Sequence, residues 1–139
     1  MLMKKPKLST LKKKADTLFS IYIRLKYADD NGYVNCYTCG NKHFWKEIQC
    51  GHFVRRTHLS TRWKSKNARP QCMACNVWRR GNYDVFSLRL TEECGCGVLE
   101  ELNRLKNEVC KMGLPAYREL IEKLKNKIDN LNKQHLYNH

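Results

Sequence analysis

The sequence predicts a small α+β fold, with a cysteine-rich core flanked by a basic N-terminal helix and a C-terminal helical hairpin. Three observations carry that prediction. Two Cys-x-x-Cys pairs, Cys36/Cys39 and Cys72/Cys75, bracket the middle of the chain. Apolar residues recur at helical spacing near both ends. Between the ends lie short β-prone runs broken by glycine and polar turns. At 139 residues and 42% apolar content, the chain suffices for one domain with a modest core, and a core of that size often needs a staple. The expected divisions are a basic helical segment over 1–32, a metal-bound core over 33–90 and a helical hairpin over 91–139, together one compact domain.

Residues 7–28 read as a helix. Ser9 or Thr10 can cap it, and Leu11, Ala15, Leu18, Phe19, Tyr22 and Ile23 form its apolar stripe. Lys12, Lys13, Lys14 and Arg24 occupy the opposite face. Asp29-Asp30-Asn31-Gly32 is a turn in which Gly32 is free to take positive φ. A short strand, Tyr33 to Cys36, then runs into the knuckle Cys36-Tyr37-Thr38-Cys39-Gly40. Residues 44–54 suit a second strand or hairpin arm. Residues 55–69 are polar and basic and read as a long loop. Cys72 to Cys75 should open a helix that continues through Arg79 and ends at Gly81, with Tyr83 to Leu90 helical again. Val98, Leu102, Leu105, Val109 and Met112 form one helical run, and Tyr117, Ile121, Leu124, Ile128 and Leu131 another. Gly113-Leu114-Pro115 separates them, with Pro115 at a first helical position. The expected arrangement is an antiparallel pair covering the core, since two or three heptads are weak grounds for a dimer seam.

No stretch of about 18 apolar residues offers a membrane span. Met1 to Lys14 lacks the apolar run and cleavage site of a signal peptide. The chain is therefore expected in the cytoplasm, where paired cysteines read as metal ligands before disulfides. Zinc takes four thiolates at tetrahedral corners, and Cys36, Cys39, Cys72 and Cys75 supply them from two separate elements. The 32 residues between Cys39 and Cys72 exceed the spacing of a compact ribbon, so a hairpin carrying Gly51-His52 must be inserted. Knuckle, hairpin and helix-borne knuckle make up the treble-clef layout. Redox or merely buried thiols are the alternative. Cys50, Cys94, Cys96 and Cys110 read as small buried apolar residues. His43 and His58 read as ordinary surface or loop residues.

The net charge is +14, and all of the excess lies in residues 1–80, which carry 18 Lys and Arg against 4 Asp and Glu. A polyanion is the natural partner for such clustering. Arg55, Arg56, Arg62, Lys64, Lys66 and Arg69 crowd the segment after His52, and Arg79 and Arg80 follow the second knuckle. Together they read as a clamp on a nucleic-acid backbone.

The set Cys36-Tyr-Thr-Cys39-Gly40, Gly51-His52-Phe53, Asn67, Gln71-Cys72-Met-Ala-Cys75-Asn76 and Gly81-Asn82 resembles the NinG (Rap) family. These are phage recombination proteins of the HNH-like, treble-clef (ββα-metal) nuclease class. The resemblance runs from Lys12 to about Leu131, and GHF followed by QCxxCN is its specific part. It implies divalent-metal-dependent cleavage of DNA, with His52 as the general base. Asn67 then takes the position that supports the loop and orients the histidine. Asn76 takes the helix position that contacts a catalytic Mg²⁺ or Mn²⁺, beside a structural Zn²⁺. Many HNH nucleases carry an Asp or His metal ligand where this chain has Gly51. Asp84 or Asn82 is the candidate substitute.

The function implied is an endonuclease acting on branched recombination intermediates such as Holliday junctions and D-loops. No small-molecule substrate and no membrane are involved, and a homodimer is expected because a junction presents two strands to cut. Two readings of other classes compete. One is a non-catalytic zinc-containing nucleic-acid-binding module, and the other is a structural zinc protein in a nucleoprotein assembly. The pairing of His52 with Asn76 discriminates, because binding alone does not require it.

Overall fold

The structure is a computed structural model that describes residues 4–137. It is mixed α+β, with two small sheets and several helices, and it divides into two compact units. One unit is Ile23–Cys110 and holds every strand and both cysteine pairs. The other takes in Met1–Tyr22 and Lys111–His139.

Helix α1 (Leu8–Lys26) starts in the terminal unit and ends in the central one. The amides of Thr10 and Leu11 donate to the Lys7 carbonyl, so Ser9 and Thr10 lie inside the first turn rather than capping it. The predicted stripe is buried at Leu11, Ala15, Phe19 and Ile23. Arg24 does not join the basic face. Its Nη1 donates to the Trp45 carbonyl (3.0 Å), and its guanidinium lies 5.4 Å from the centre of the Trp45 ring.

The turn after α1 is fixed by Asp29, whose Oδ1 accepts from the amides of Asn31 and Tyr33 (3.0 and 2.9 Å). Gly32 follows at φ +86°, where a Cβ would meet the Phe44 ring. Strand β1 (Tyr33–Asn35) pairs antiparallel with β2 (Lys42–Phe44), and the Cys36–Gly40 knuckle is the turn between them. His43 is thus a half-buried strand residue with its Nε2 enclosed, not a surface or loop residue. Strand β3 (Gln49–His52) pairs antiparallel with β4 (Ala68–Gln71), in a register that opposes Gln49 to Gln71, Gly51 to Arg69 and His52 to Ala68.

The segment 55–69 departs from its prediction as a long loop. It holds a short helix α2 (Leu59–Arg62), a 3₁₀ turn (Ser65–Asn67) and the start of β4. Its polarity is misleading because Thr61, Asn67 and Arg69 all point inward and are buried. The second knuckle opens a π-helical turn (Ala74–Trp78) rather than a regular α-helix, and the Arg79 amide donates to the Ala74 carbonyl five residues back. Gly81 ends it at φ +93°, and helix α3 runs on to Cys94 (Tyr83–Cys94).

Helix α4 (Val98–Lys106) packs its buried Val98 and Leu102 with Val54, Phe86 and Leu90. In its last turn the Leu105 carbonyl accepts from Ser60 Oγ and from the Glu108 amide. The helix ends before Val109, which is 88% exposed, so the apolar run stops short of its predicted end. Helix α5 (Leu114–Tyr137) belongs to the terminal unit, whereas α4 lies in the central one. Its Tyr117, Ile121 and Leu124 are buried, and Lys127 Nζ lies 5.2 Å from the centre of the Tyr22 ring of α1. No helix among the described residues is long and apolar enough to cross a membrane.

Candidate functional site

Cys36 and Cys39 sit on the β1–β2 turn, and Cys72 and Cys75 lie where β4 passes into the π turn. Their four sulfurs lie within 4.8 Å of one another, and Cys39 Sγ is 3.7 Å from Cys72 Sγ. Four thiolates about 2.3 Å from a central zinc ion would stand about 3.8 Å apart, so the cluster fits one tetrahedral metal ion. It does not fit a disulfide, and all eight cysteines are free.

The surroundings favour the ionised sulfur at Cys36 and oppose it at Cys39 and Cys72. The Cys72 amide donates to Cys36 Sγ (3.3 Å), and Arg79 Nη1 donates to Cys75 Sγ (3.4 Å). Burial pushes the Cys36 thiol up, but the amides of Cys72, Cys39 and Thr38 outweigh it and bring the group down to about 6. Burial and the neighbouring sulfurs push Cys39 up to about 12. Four such sulfurs ionise together only with a cation between them, which is the charge a divalent metal supplies.

His52 closes β3. Its half-buried ring bonds through Nε2 to the Arg62 carbonyl (2.9 Å). A carbonyl only accepts, so the proton of the neutral ring is on Nε2 and the basic lone pair is on Nδ1. The segment that supplies this carbonyl is held by Asn67, which is completely buried. Asn67 Nδ2 donates to the carbonyls of Val54 (3.0 Å) and Thr61 (3.1 Å), and its Oδ1 accepts from the Val54 amide (2.7 Å). Asn67 therefore ties together the chain on both sides of α2 and contributes to the backbone rather than to a ligand.

Asn76 is not brought directly to His52. Its Nδ2 donates to Gln49 Oε1 (2.9 Å) at the other end of β3, leaving Oδ1 as its remaining donor atom toward a metal. Of the two candidate substitutes for a missing ligand at Gly51, Asn82 is turned away. It adopts a left-handed φ of 47° and directs Nδ2 toward Cys75 Sγ (3.8 Å), so it serves the cysteine cluster. Asp84 is exposed in the first turn of α3.

The predicted clamp also needs correcting. Arg69 is buried, with Nε and Nη2 donating to the two oxygens of Glu93 (3.2 and 3.0 Å) and Nη1 donating to the Ser65 and Ala68 carbonyls. Its guanidinium lies 5.2 Å and 5.3 Å from the ring centres of Tyr27 and Tyr37, whose hydroxyls both donate to Glu93. Burial pushes the Glu93 carboxyl up, but Arg69 and the two phenols outweigh it and hold the group below its usual range. An arginine bound in this way is unavailable to phosphate. Arg62 is half-buried and donates to the Arg56 carbonyl (2.8 Å). Arg55, Arg56, Lys64, Lys66, Arg79 and Arg80 remain exposed, with Lys66 in a solvent-facing ion pair with Glu101 (3.3 Å).

Three residues with no predicted role prove to position the site. Gln49 holds Asn76, and Glu93 neutralises Arg69. Gln71 is fully buried and donates to Thr38 Oγ1 (3.1 Å) and the Gly81 carbonyl (2.9 Å), joining both knuckles. A Cβ at Gly51 would fall inside the Gln71 side chain, which accounts for glycine at that position. The only signal in the sequence was a neutral polar residue immediately before a metal-ligating cysteine.

The fold and site define a small α+β protein with a cluster of four cysteines that could hold one metal ion. Residues 2–134 match the family described as bacteriophage lambda NinG protein. The chain belongs to the NinG family of phage recombination proteins. No curated protein and no solved structure matches it.

Proposed function

We propose that this chain is an HNH-like, treble-clef endonuclease that hydrolyses phosphodiesters in branched DNA recombination intermediates. The observation that carries the proposal is His52, a half-buried imidazole whose Nε2–H is bound to the Arg62 carbonyl at 2.9 Å. That bond selects the tautomer whose Nδ1 accepts a proton, the state a general base needs near neutral pH.

In this reading Zn²⁺ on Cys36, Cys39, Cys72 and Cys75 is structural. It fixes the start of the π turn beside the β3–β4 hairpin, so Gln49 can hold Asn76. His52 Nδ1 takes the proton from the attacking water, and Arg62, through its carbonyl, stabilises the imidazolium that forms. Arg55, Arg56, Lys64, Lys66, Arg79 and Arg80 bind the flanking phosphates. A catalytic Mg²⁺ or Mn²⁺ would be held through Asn76 Oδ1, with water and phosphate oxygens as its other ligands, and would offset charge on the reacting phosphate. Gly51 offers no donor, so this ion would bind weakly without substrate. A homodimer would present two such sites to one junction.

The test is to incubate the zinc-loaded protein with a synthetic four-way junction and a linear duplex, with Mg²⁺, with Mn²⁺ and with a chelator. Cleavage of the junction that requires the divalent ion is expected. Intact junction under every metal condition would leave the non-catalytic binding module as the better reading.

A further inference from the structure

The π turn exposes an apolar ridge that the proposed chemistry does not use. Trp78 is 76% exposed, Met73 55% and Val77 53%. A turn closed by bonds five residues apart places residues four and five apart on one side, so Met73 shares a side with Val77 and Trp78. Three large apolar side chains on one surface of so small a unit mark a contact site.

Its setting points to the occupant. Asn76 lies within the same turn, and exposed Arg79 and Arg80 follow it directly. Arg80 takes a left-handed φ of 51°, uncommon for a residue other than glycine and typical of functional turns. The excess of positive charge beside the tryptophan suits a nucleotide, which offers phosphate to the arginines and a π face to the ring. In intact duplex those faces are covered by stacking. They become accessible where strands separate.

We propose that Trp78, flanked by Met73 and Val77, packs against unstacked bases at a DNA branch point and gives the protein its preference for branched over linear DNA. The inference rests on the DNA reading above, but not on cleavage. Because Trp78 stands in solvent, replacing it leaves the core and the cysteine cluster untouched.

The experiment measures binding without added Mg²⁺ or Mn²⁺ and without chelator, to a four-way junction and to a linear duplex of the same sequence. Wild type, Trp78→Ala and Trp78→Phe are compared, with zinc content as the check on folding. Trp78→Ala should weaken junction binding roughly ten-fold, as loss of one base–aromatic stack does, with duplex binding changed less than about two-fold. Trp78→Phe should retain most of the junction preference. Equal losses on both substrates, or none on either, would overturn the inference while leaving the DNA reading in place. A wild-type protein that binds neither substrate removes both. If Trp78→Ala instead dissolves a wild-type dimer in sedimentation without altering the junction preference, the ridge is a self-association surface and the proposal fails.

Discussion

Both heteroatoms of the Asn67 amide bond to backbone, and Gln71 joins the two knuckles with one side-chain nitrogen. Such residues look like surface residues in a sequence because their polarity is visible and their partners are not. Glu93 shows the energetic consequence. Its carboxylate faces a buried guanidinium, and removing that charge leaves Arg69 with only neutral partners: two carbonyls, the Cys94 sulfur and two ring faces. Glu93→Gln should destabilise the protein by about 2 kcal/mol, less than the loss of a fully buried partner because the carboxylate is partly solvated. The sign with pH follows from the depressed carboxyl. Its contribution is fully present above the unfolded carboxylate value of about 4.3 and is lost as pH falls through the lower folded value. Denaturant unfolding should therefore separate wild type from Glu93→Gln at neutral pH, and the gap should close in acid. A constant gap would contradict the assignment.

At the scale of elements, the parts governed by local rules were legible. The α1 stripe, the Asp29–Gly32 turn, the first knuckle and the convergence of the four cysteines all follow from spacing and glycine placement. Segment 55–69 was not, because its order comes from Asn67, Thr61 and Arg69 turning inward, to backbone carbonyls of the segment itself and to Val54 and Glu93 outside it. In the C-terminal third, periodicity identified both helical runs but not where the first of them ends. The four cysteines bring the β1–β2 turn to the π turn, where the Gln71 side chain and the Tyr37–Pro70 backbone bond also join the two regions. Cys72→Ser should abolish stoichiometric zinc by elemental analysis and raise amide exchange across residues 33–80 to near-unfolded rates. Retained zinc and protection in that variant would mean that hydrophobic packing alone holds the core.

Over the whole molecule, charge was the most legible property and individual contacts the least. The excess of +14 in residues 1–80 survives the correction of Arg69 and Arg62, since six other basic residues around the hairpin and π turn stay exposed. The family match covers residues 2–134 and so includes all of that basic surface. The cysteine cluster, the β3–β4 hairpin and the loop fixed by Asn67 together give His52 a defined tautomer beside that surface. The central claim is that this histidine performs chemistry rather than merely completing a binding face. An imidazole acting as general base contributes mainly in the transition state, and its loss costs about 10²–10⁴ in rate. One neutral ring among many cations adds little to affinity. The most direct measurement is the rate of junction cleavage by wild type and His52→Ala at saturating divalent ion, with junction affinity and zinc content measured alongside. The account predicts a loss of at least about a hundred-fold in rate, with affinity and zinc nearly unchanged. Equal cleavage rates in the two proteins would contradict it.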